Sequence, residues 1–259
     1  MKMQKLLMLI GMAGVLAMMT QVVSAKDVLK VGMDPLYEPF SFLTPDGKLT
    51  GFDYEISSAL CEAIDVTCDI QAIPYEGSIS ALQSGQIDAL INTYTMSKER
   101  MQKFTMVGPY IRPTWRYIVR ADSDIDGTEA TLKGKTIGVE KSQGGSSSKY
   151  ADDTYKKYAT EQQYDQVNQA ILDLKAGRID AVLGDENQLF YAYAKKQPST
   201  YKMTGESLHI PGSEEQGFML RKGDDKWAER LKTALDAIVK SGKYDQLSKK
   251  YFGKNILSN

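Results

Sequence analysis

Histidine occurs once in this chain, at His209, and cysteine twice, at Cys61 and Cys68. A metal site needs more ligands than two thiols and one imidazole supply, and a nucleophilic relay through histidine would have to be built on His209 alone. An excess of one charge is also missing. The 32 basic and 33 acidic residues leave a formal net charge of −1, which gives no electrostatic footprint for nucleic acid. No glycine-rich segment carries the lysine and spacing of a P-loop. Beyond the first 25 residues no uncharged apolar run approaches the roughly 20 residues that span a membrane. What remains, at 42% hydrophobic and 25% charged residues, is the composition of a soluble globular protein and not of a disordered or fibrous one.

The start of the chain departs from that average. Six of the twelve methionines lie in the first nineteen residues, where Lys2 and Lys5 precede an uncharged run from Leu6 to Thr20 and the small-residue triplet Val23-Ser24-Ala25 follows. The pattern predicts a secretory signal over residues 1–25; the run is short for a membrane anchor. Its removal leaves 234 residues with a net charge of −3. No cysteine closes the apolar run, so nothing marks the chain for lipid attachment, and the product is expected free beyond the inner membrane. In that oxidising compartment the even cysteine count points to a Cys61–Cys68 disulfide, with a pair of buried free thiols as the alternative.

Along the remaining chain, Val28 to Met33 alternates as a strand does, a turn is expected at Pro45-Asp46-Gly47, and Phe52 to Ile64 has helical spacing. Val66 to Ala72 then reads as a second strand. Short strands alternating with helices argue for α/β units with parallel sheets. One phrase recurs: Leu82-Gln83-Ser84-Gly85-Gln86-Ile87-Asp88-Ala89 is matched by Leu174-Lys175-Ala176-Gly177-Arg178-Ile179-Asp180-Ala181. In each copy a helix would stop at a left-handed glycine and a buried strand would follow. A period of about 92 residues exceeds any solenoid repeat and fits two similar α/β lobes. Crossovers are expected near residue 115 and near Pro211-Gly212. They give a discontinuous first lobe, 26–114 with 213–259, and a second lobe, 115–212.

Ligands of open α/β sheets bind beyond the carboxyl ends of strands, which directs attention to Asn92-Thr93-Tyr94-Thr95 in one lobe and Gly184-Asp185-Glu186 in the other. Arg100, in a short helix that Ser97 would cap, offers a planar fork for a carboxylate beside the Thr93 and Thr95 hydroxyls. Asp185 suits an ammonium group. Together they describe the two ends of an α-amino acid. The stretch Gln143 to Ser148 before a predicted helix reads either as a flexible loop or as an anion-binding helix start.

These phrases, in this order, resemble the bacterial solute-binding proteins of ABC transporters for polar amino acids, extracellular solute-binding protein family 3, and within it the lysine/arginine/ornithine- and histidine-binding proteins. The resemblance covers residues 26 to 255 and rests on Val31-Gly32-Met33-Asp34, Tyr37-Glu38-Pro39-Phe40, Gly51-Phe52-Asp53-Tyr54-Glu55-Ile56, the Cys61/Cys68 pair, the two repeat copies, Arg100, Asp185, and Gly242-Lys243-Tyr244-Asp245 with Lys250-Tyr251-Phe252. It implies a type II periplasmic binding protein fold, two α/β lobes joined by two hinge crossovers, and a periplasmic monomer that binds a basic L-amino acid. The closed form would dock transiently on an inner-membrane ABC permease. No catalytic residue, metal or cofactor is implied.

The resemblance also assigns roles. Arg100 would bind the ligand carboxylate and Asp185 its α-ammonium, with Asn92, Thr93 and Thr95 hydrogen-bonding the same groups. Asp34 would reach the side-chain tip, and Tyr37 and Tyr75 would cover the aliphatic stem. The loop before Tyr150 is about two residues longer than in the family, and Gln143, Gly145, Ser146 and Ser147 are its candidate contacts. Glu140 stands where close relatives are apolar; it either faces the cleft as a second carboxylate near the ligand tip or turns outward to solvent. Two alternatives accompany the leading expectation: binding of an opine-type arginine derivative, and a cyclohexadienyl or arogenate dehydratase-like enzyme on the same fold, for which Glu140 or Glu186 would be the general acid.

Overall fold

Both copies of the repeated phrase end in a continuous apolar run, which is what a strand buried on both faces of a sheet requires. The computed structural model describes residues 26–141 and 146–258, and the expected export signal lies outside them. In chain order the strands are β1 (Val28–Met33), β2 (Leu36–Tyr37), β3 (Ser41–Leu43), β4 (Leu49–Thr50), β5 (Thr67–Ala72), β6 (Ala89–Thr95), β7 (Phe104–Ile111), β8 (Trp115–Arg120), β9 (Thr136–Glu140), β10 (Thr160–Tyr164), β11 (Ala181–Asp185), β12 (Tyr201–Leu208) and β13 (Gln216–Arg221). The helices are α1 (Phe52–Ala63), α2 (Tyr75–Ser84), α3 (Lys98–Lys103), α4 (Glu129–Leu132), α5 (Ser146–Tyr155), α6 (Val167–Lys175), α7 (Glu186–Gln188), α8 (Asp225–Lys240) and α9 (Lys243–Phe252), and a π-helical turn spans Leu189–Ala194.

Two five-stranded sheets share one plan. The first runs β5-β1-β6-β13-β7 and the second β10-β9-β11-β8-β12. In each, three parallel strands come first, one reversed strand (β13 or β8) follows, and the last strand (β7 or β12) runs again in the first direction, paired antiparallel with the reversed one. The chain leaves the first sheet after β7, builds the whole second sheet, and returns through β13. The two passages lie between Ile111 and Trp115 and between Leu208 and Gln216. Each sheet is covered on both faces. Ala89 and Ile91 of β6 point into a core built with α1, α8 and α9, and the intervening Leu90 packs on the α2 side. Likewise Ala181 and Leu183 face one core of the second sheet and Val182 the other.

The repeat does the same mechanical work twice. Gly85 and Gly177 adopt positive φ, 78° and 72°, and end their helices. Asp88 accepts the Lys30 N–H at 3.1 Å and Asp180 the Thr136 N–H at 2.9 Å, so each copy fastens the start of a parallel neighbour. Arg221 of β13 donates to the carbonyls of Leu82 and Ile87, and Arg120 of β8 donates to those of Leu174 and Ile179. The isoleucines explain two glycines: a Cβ at Gly32 would overlap Cδ1 of Ile87, and one at Gly138 would overlap Cδ1 of Ile179. The strand registers agree as well, Val31 lying opposite Ala89 and Ile137 opposite Ala181. Val31-Gly32-Met33-Asp34 and Ile137-Gly138-Val139-Glu140 are therefore equivalent segments of the two lobes.

Between β1 and α1, where the sequence suggested only turns, β2, β3 and β4 form a small antiparallel sheet. Strands of two or three residues are too short to show a period. His209 is exposed, next to the return passage.

Cys61, in the last turn of α1, is bonded to Cys68 in β5. The closed loop is short, so the chain-entropy contribution is about 2 kcal/mol. The double substitution Cys61→Ser/Cys68→Ser should lower unfolding stability by roughly that amount and leave ligand affinity unchanged, as measured by urea denaturation and titration calorimetry.

Candidate functional site

The carboxyl ends of β1, β6, β9 and β11 meet at one cavity, lined from the first sheet by Asp34, Tyr37, Tyr75, Asn92, Thr93, Thr95 and Arg100 and from the second by Glu140 and Asp185. Of the remaining sequence candidates, Gln143 and Gly145 lie outside the described residues, and Ser146 and Ser147 fall in the first turn of α5.

Arg100 is only 4% exposed. Ser97 caps α3 by accepting the Arg100 N–H at 3.2 Å. The guanidinium lies 5.2 Å from the centre of the Tyr94 ring and donates to the Thr95 carbonyl at 3.2 Å and to the Tyr75 hydroxyl at 3.3 Å. Tyr75 in turn stacks on Tyr94, with ring centres 5.9 Å apart. This packing fixes the plane of the fork, and a fixed fork is what two parallel hydrogen bonds to a carboxylate require.

Across the cleft, Asp185 ends β11 and caps α7, its Oδ1 accepting the Gln188 N–H at 3.0 Å. The other oxygen, Oδ2, is buried without a partner among the described residues, and the whole residue is 1% exposed. Burial pushes its carboxyl up to about 7. A buried acceptor left unpaired costs roughly 1–3 kcal/mol, a cost that a donor arriving in the cleft relieves. Two further orphaned atoms line the same cavity: Trp115 Nε1, on the residue opposite Asp185 in β8, and Gln216 Oε1, on the residue opposite Thr95 in β13. Sequence reasoning missed both. The rule that sites lie beyond carboxyl ends of strands covers the parallel strands, but antiparallel β8 and β13 present their starting residues to the same edge.

Asp34, 4% exposed, accepts a hydrogen bond from the Leu36 N–H at 3.1 Å and one from the Gln166 side chain of the other lobe. Burial raises its carboxyl above the usual range. Glu140 lines the cavity and does not turn outward; its Oε1 accepts the Val167 N–H at the start of α6 at 3.3 Å. Burial first, and the facing charge of Asp34 second, push it up to about 8. The lobes also touch at the rim, where Lys196 pairs with Glu38 at 2.5 Å and the Tyr191 hydroxyl donates to the Phe252 carbonyl.

Beneath the cavity lies a polar network that the sequence did not announce. Asn92 accepts the Asp34 N–H at 2.7 Å and donates to Ser41 Oγ at 3.1 Å and to Asp53 Oδ2 at 3.3 Å. Asp53 also accepts from the Tyr110 hydroxyl at 3.0 Å, which receives the N–H of Thr93 at 2.7 Å. Thr93 has φ of 47°, a costly conformation for a β-branched residue. The fully buried Asp53 thus ties both Asp34 and Thr93 in place, while its own carboxyl is pushed up to about 8 by burial. The Asn92 amide is engaged in this support beneath the cavity.

Glu186 has a different environment. Burial raises it, but hydrogen bonds from Ser207, Thr114 and Arg116 outweigh that and hold it below the ordinary range. Among the described residues no group of His, Cys, Asp and Glu is placed to hold a metal ion. The cavity therefore offers one oriented guanidinium for an anion and three carboxyl groups for cations, the complement of a zwitterion bearing an extra positive charge.

A pH dependence follows. Asp53, Glu140 and Asp185 bind their protons more tightly in the folded protein than at their ordinary values of 3.8 to 4.5. Their contribution to stability is complete below that range and is lost as pH rises through 7 and 8. Without amino acid in the buffer, the thermal midpoint should fall between pH 5 and pH 8.5, and Asp53→Asn should make the decline shallower. An unchanged slope in that variant would exclude ionisation of Asp53 as a contributor.

Comparison with known proteins agrees with this geometry. The family model described as bacterial extracellular solute-binding proteins, family 3, matches residues 29–254. The L-arginine-binding protein of Pseudomonas aeruginosa is 31% identical over 264 residues, covering 97% of this chain and 98% of its own. The histidine-binding periplasmic protein of Salmonella typhimurium is 31% identical, covering 88% of each chain. Among solved structures, an ancestral arginine-binding protein, seen bound to arginine and to glutamine, superposes with a TM-score of 0.79 at 31% identity, covering 89% of this chain and all of the other. With the family model matched over nearly its whole described length, the chain belongs to the bacterial extracellular solute-binding proteins, family 3.

Proposed function

We propose that this protein is the periplasmic substrate-binding component of an ABC transporter for polar amino acids and that it binds a basic L-amino acid, in the class of arginine, lysine, ornithine or histidine. The observation that carries this reading is the buried, unpartnered Oδ2 of Asp185 across a cleft from the oriented guanidinium of Arg100. An α-ammonium satisfies the first and an α-carboxylate the second. Asp34 then meets a cationic side-chain tip, while Tyr37 and Tyr75 offer aromatic surface to the stem. The relatives and structures described above, with the arginine, histidine and glutamine in their names, support the same ligand class.

In this reading the lobes, 26–114 with 213–259 and 115–212, close on the ligand because it contacts both. A ligand shifts such an equilibrium only through its difference in affinity for the two states. The export signal takes the mature monomer to the periplasm, where the liganded form meets its permease. An opine built on arginine remains within the same chemistry, since it keeps the guanidinium. Of the two general-acid candidates of a dehydratase, Glu186 is held as an anion by three donors, opposite to what a general acid needs, while Glu140, raised to about 8, is in this reading a ligand-facing carboxylate.

Titration calorimetry with arginine, lysine, ornithine and histidine should give saturable heat for at least one of them, and silence with all four would refute the assignment. Arg100→Ala should abolish binding of every α-amino acid tested. Asp34→Asn should weaken cationic ligands by about 10–100-fold, the worth of a charged hydrogen bond, while leaving glutamine nearly unchanged. Equal losses for arginine and glutamine would remove Asp34 from the role of discriminating group.

A further inference from the structure

The equivalence of the two lobes reaches into the cleft. Gly32 and Gly138 accommodate the same isoleucine of the repeat, and Val31 and Ile137 face its same alanine in register. Counting on from either glycine, the second residue is Asp34 in one lobe and Glu140 in the other. Both carboxyl groups line the one cavity. Each is held by the same part of the second lobe, Asp34 by the Gln166 side chain and Glu140 by the Val167 N–H, neighbouring residues at the start of α6.

The electrostatics at this end of the cleft are one-sided. Asp34 acts on Glu140, and Glu76 acts on Asp34, all of them carboxylates, with the phenols of Tyr37 and Tyr193 also facing Glu140. Lys141, the basic residue next to Glu140 that also lines the cavity, is held by Asp165 at 2.7 Å. At the other end stands the unpartnered Oδ2 of Asp185, 1% exposed, which points independently to a cationic ligand.

We propose that Glu140 is a specificity-determining residue: with Asp34 it forms a pair of carboxylates, one from each lobe, that clasps a guanidinium at the tip of the bound ligand. This rests on the reading of the cleft as an amino-acid site and sharpens it. A guanidinium spreads its charge over a plane with donors on several edges, so it serves two carboxylates on opposite walls at once. A neutral amide at the same place gives the pair no cation to meet, so the pair favours arginine over glutamine. Closing the lobes brings the carboxylates together, and the cation is what makes that approach favourable.

The test is calorimetric titration of arginine and glutamine into the wild-type chain, Glu140→Gln and Asp34→Asn/Glu140→Gln. The side-chain carbonyl of the Glu140→Gln variant can still accept the Val167 N–H, and thermal unfolding checks that the variant is folded. Glu140→Gln should weaken arginine about 10–100-fold and move glutamine less than about threefold or tighten it, and the double variant should favour arginine over glutamine least. The proposal is overturned if Glu140→Gln weakens both ligands by one common factor, which marks a scaffold role, or leaves arginine unchanged. Wild-type protein that binds neither ligand would instead refute the amino-acid reading itself, so the two failures are distinguishable.

Discussion

Four carboxyl groups, the buried Asp34, Asp53 and Asp185 and the partly buried Glu140, surround a cleft in which Arg100 provides a fixed guanidinium. Removing charge from water is expensive unless it is paired, and this imbalance governs the site. Asp53 answers it with hydrogen bonds from Tyr110 and Asn92. The other three face the cavity, and in the proposed reading a cationic ligand completes them. On that reading, recognition consists largely of supplying positive charge, and a chain with almost no net charge selects its ligand by the local placement of its carboxyl groups.

Specificity and architecture are linked through the lobe repeat. Because both lobes end equivalent strands at the same height, a single substitution in one lobe creates a group facing its counterpart in the other. Asp34 and Glu140 stand in that relation. By contrast, the corresponding positions on β6 and β11 have diverged. Asn92 serves the network under Asp34, while Gly184 in the matching place is followed by Asp185, which caps α7 and faces the cleft. The two walls share a frame and differ in the chemistry mounted on it.

Much of this was legible in the amino-acid order. The alternation at Val28 to Met33 and the duplicated Gly-x-Ile-Asp-Ala both reflect local rules, and local rules leave local marks. Arg100 and Asp185 were legible because each follows a buried strand at an edge where sites form. Trp115 and Gln216 were not, since they belong to antiparallel strands that enter the sheet at that edge. The direction of Glu140 was equally hidden, because it depends on Val167, 27 residues away. Nor could sequence reveal that the Asn92 side chain also braces Asp34 through Ser41 and Asp53, each about 40 or more positions distant from it.

The arginine that fastens the first repeat has a temporal implication. Arg221 grips the Leu82 and Ile87 carbonyls from a strand that follows the entire second sheet, whereas Arg120, its counterpart, arrives before the helix it grips. As the chain emerges from its N-terminus, the second lobe has all its strands once Leu208 has appeared. The first lobe, begun at Val28, stays open between β6 and β7 until β13 is inserted, and α8 and α9 cover it only afterwards. Contacts so distant in sequence are slow to form. The lobe that is entered first is thus the last that can be finished, and the cleft, which needs both lobes, waits for β13 and the two helices that follow it.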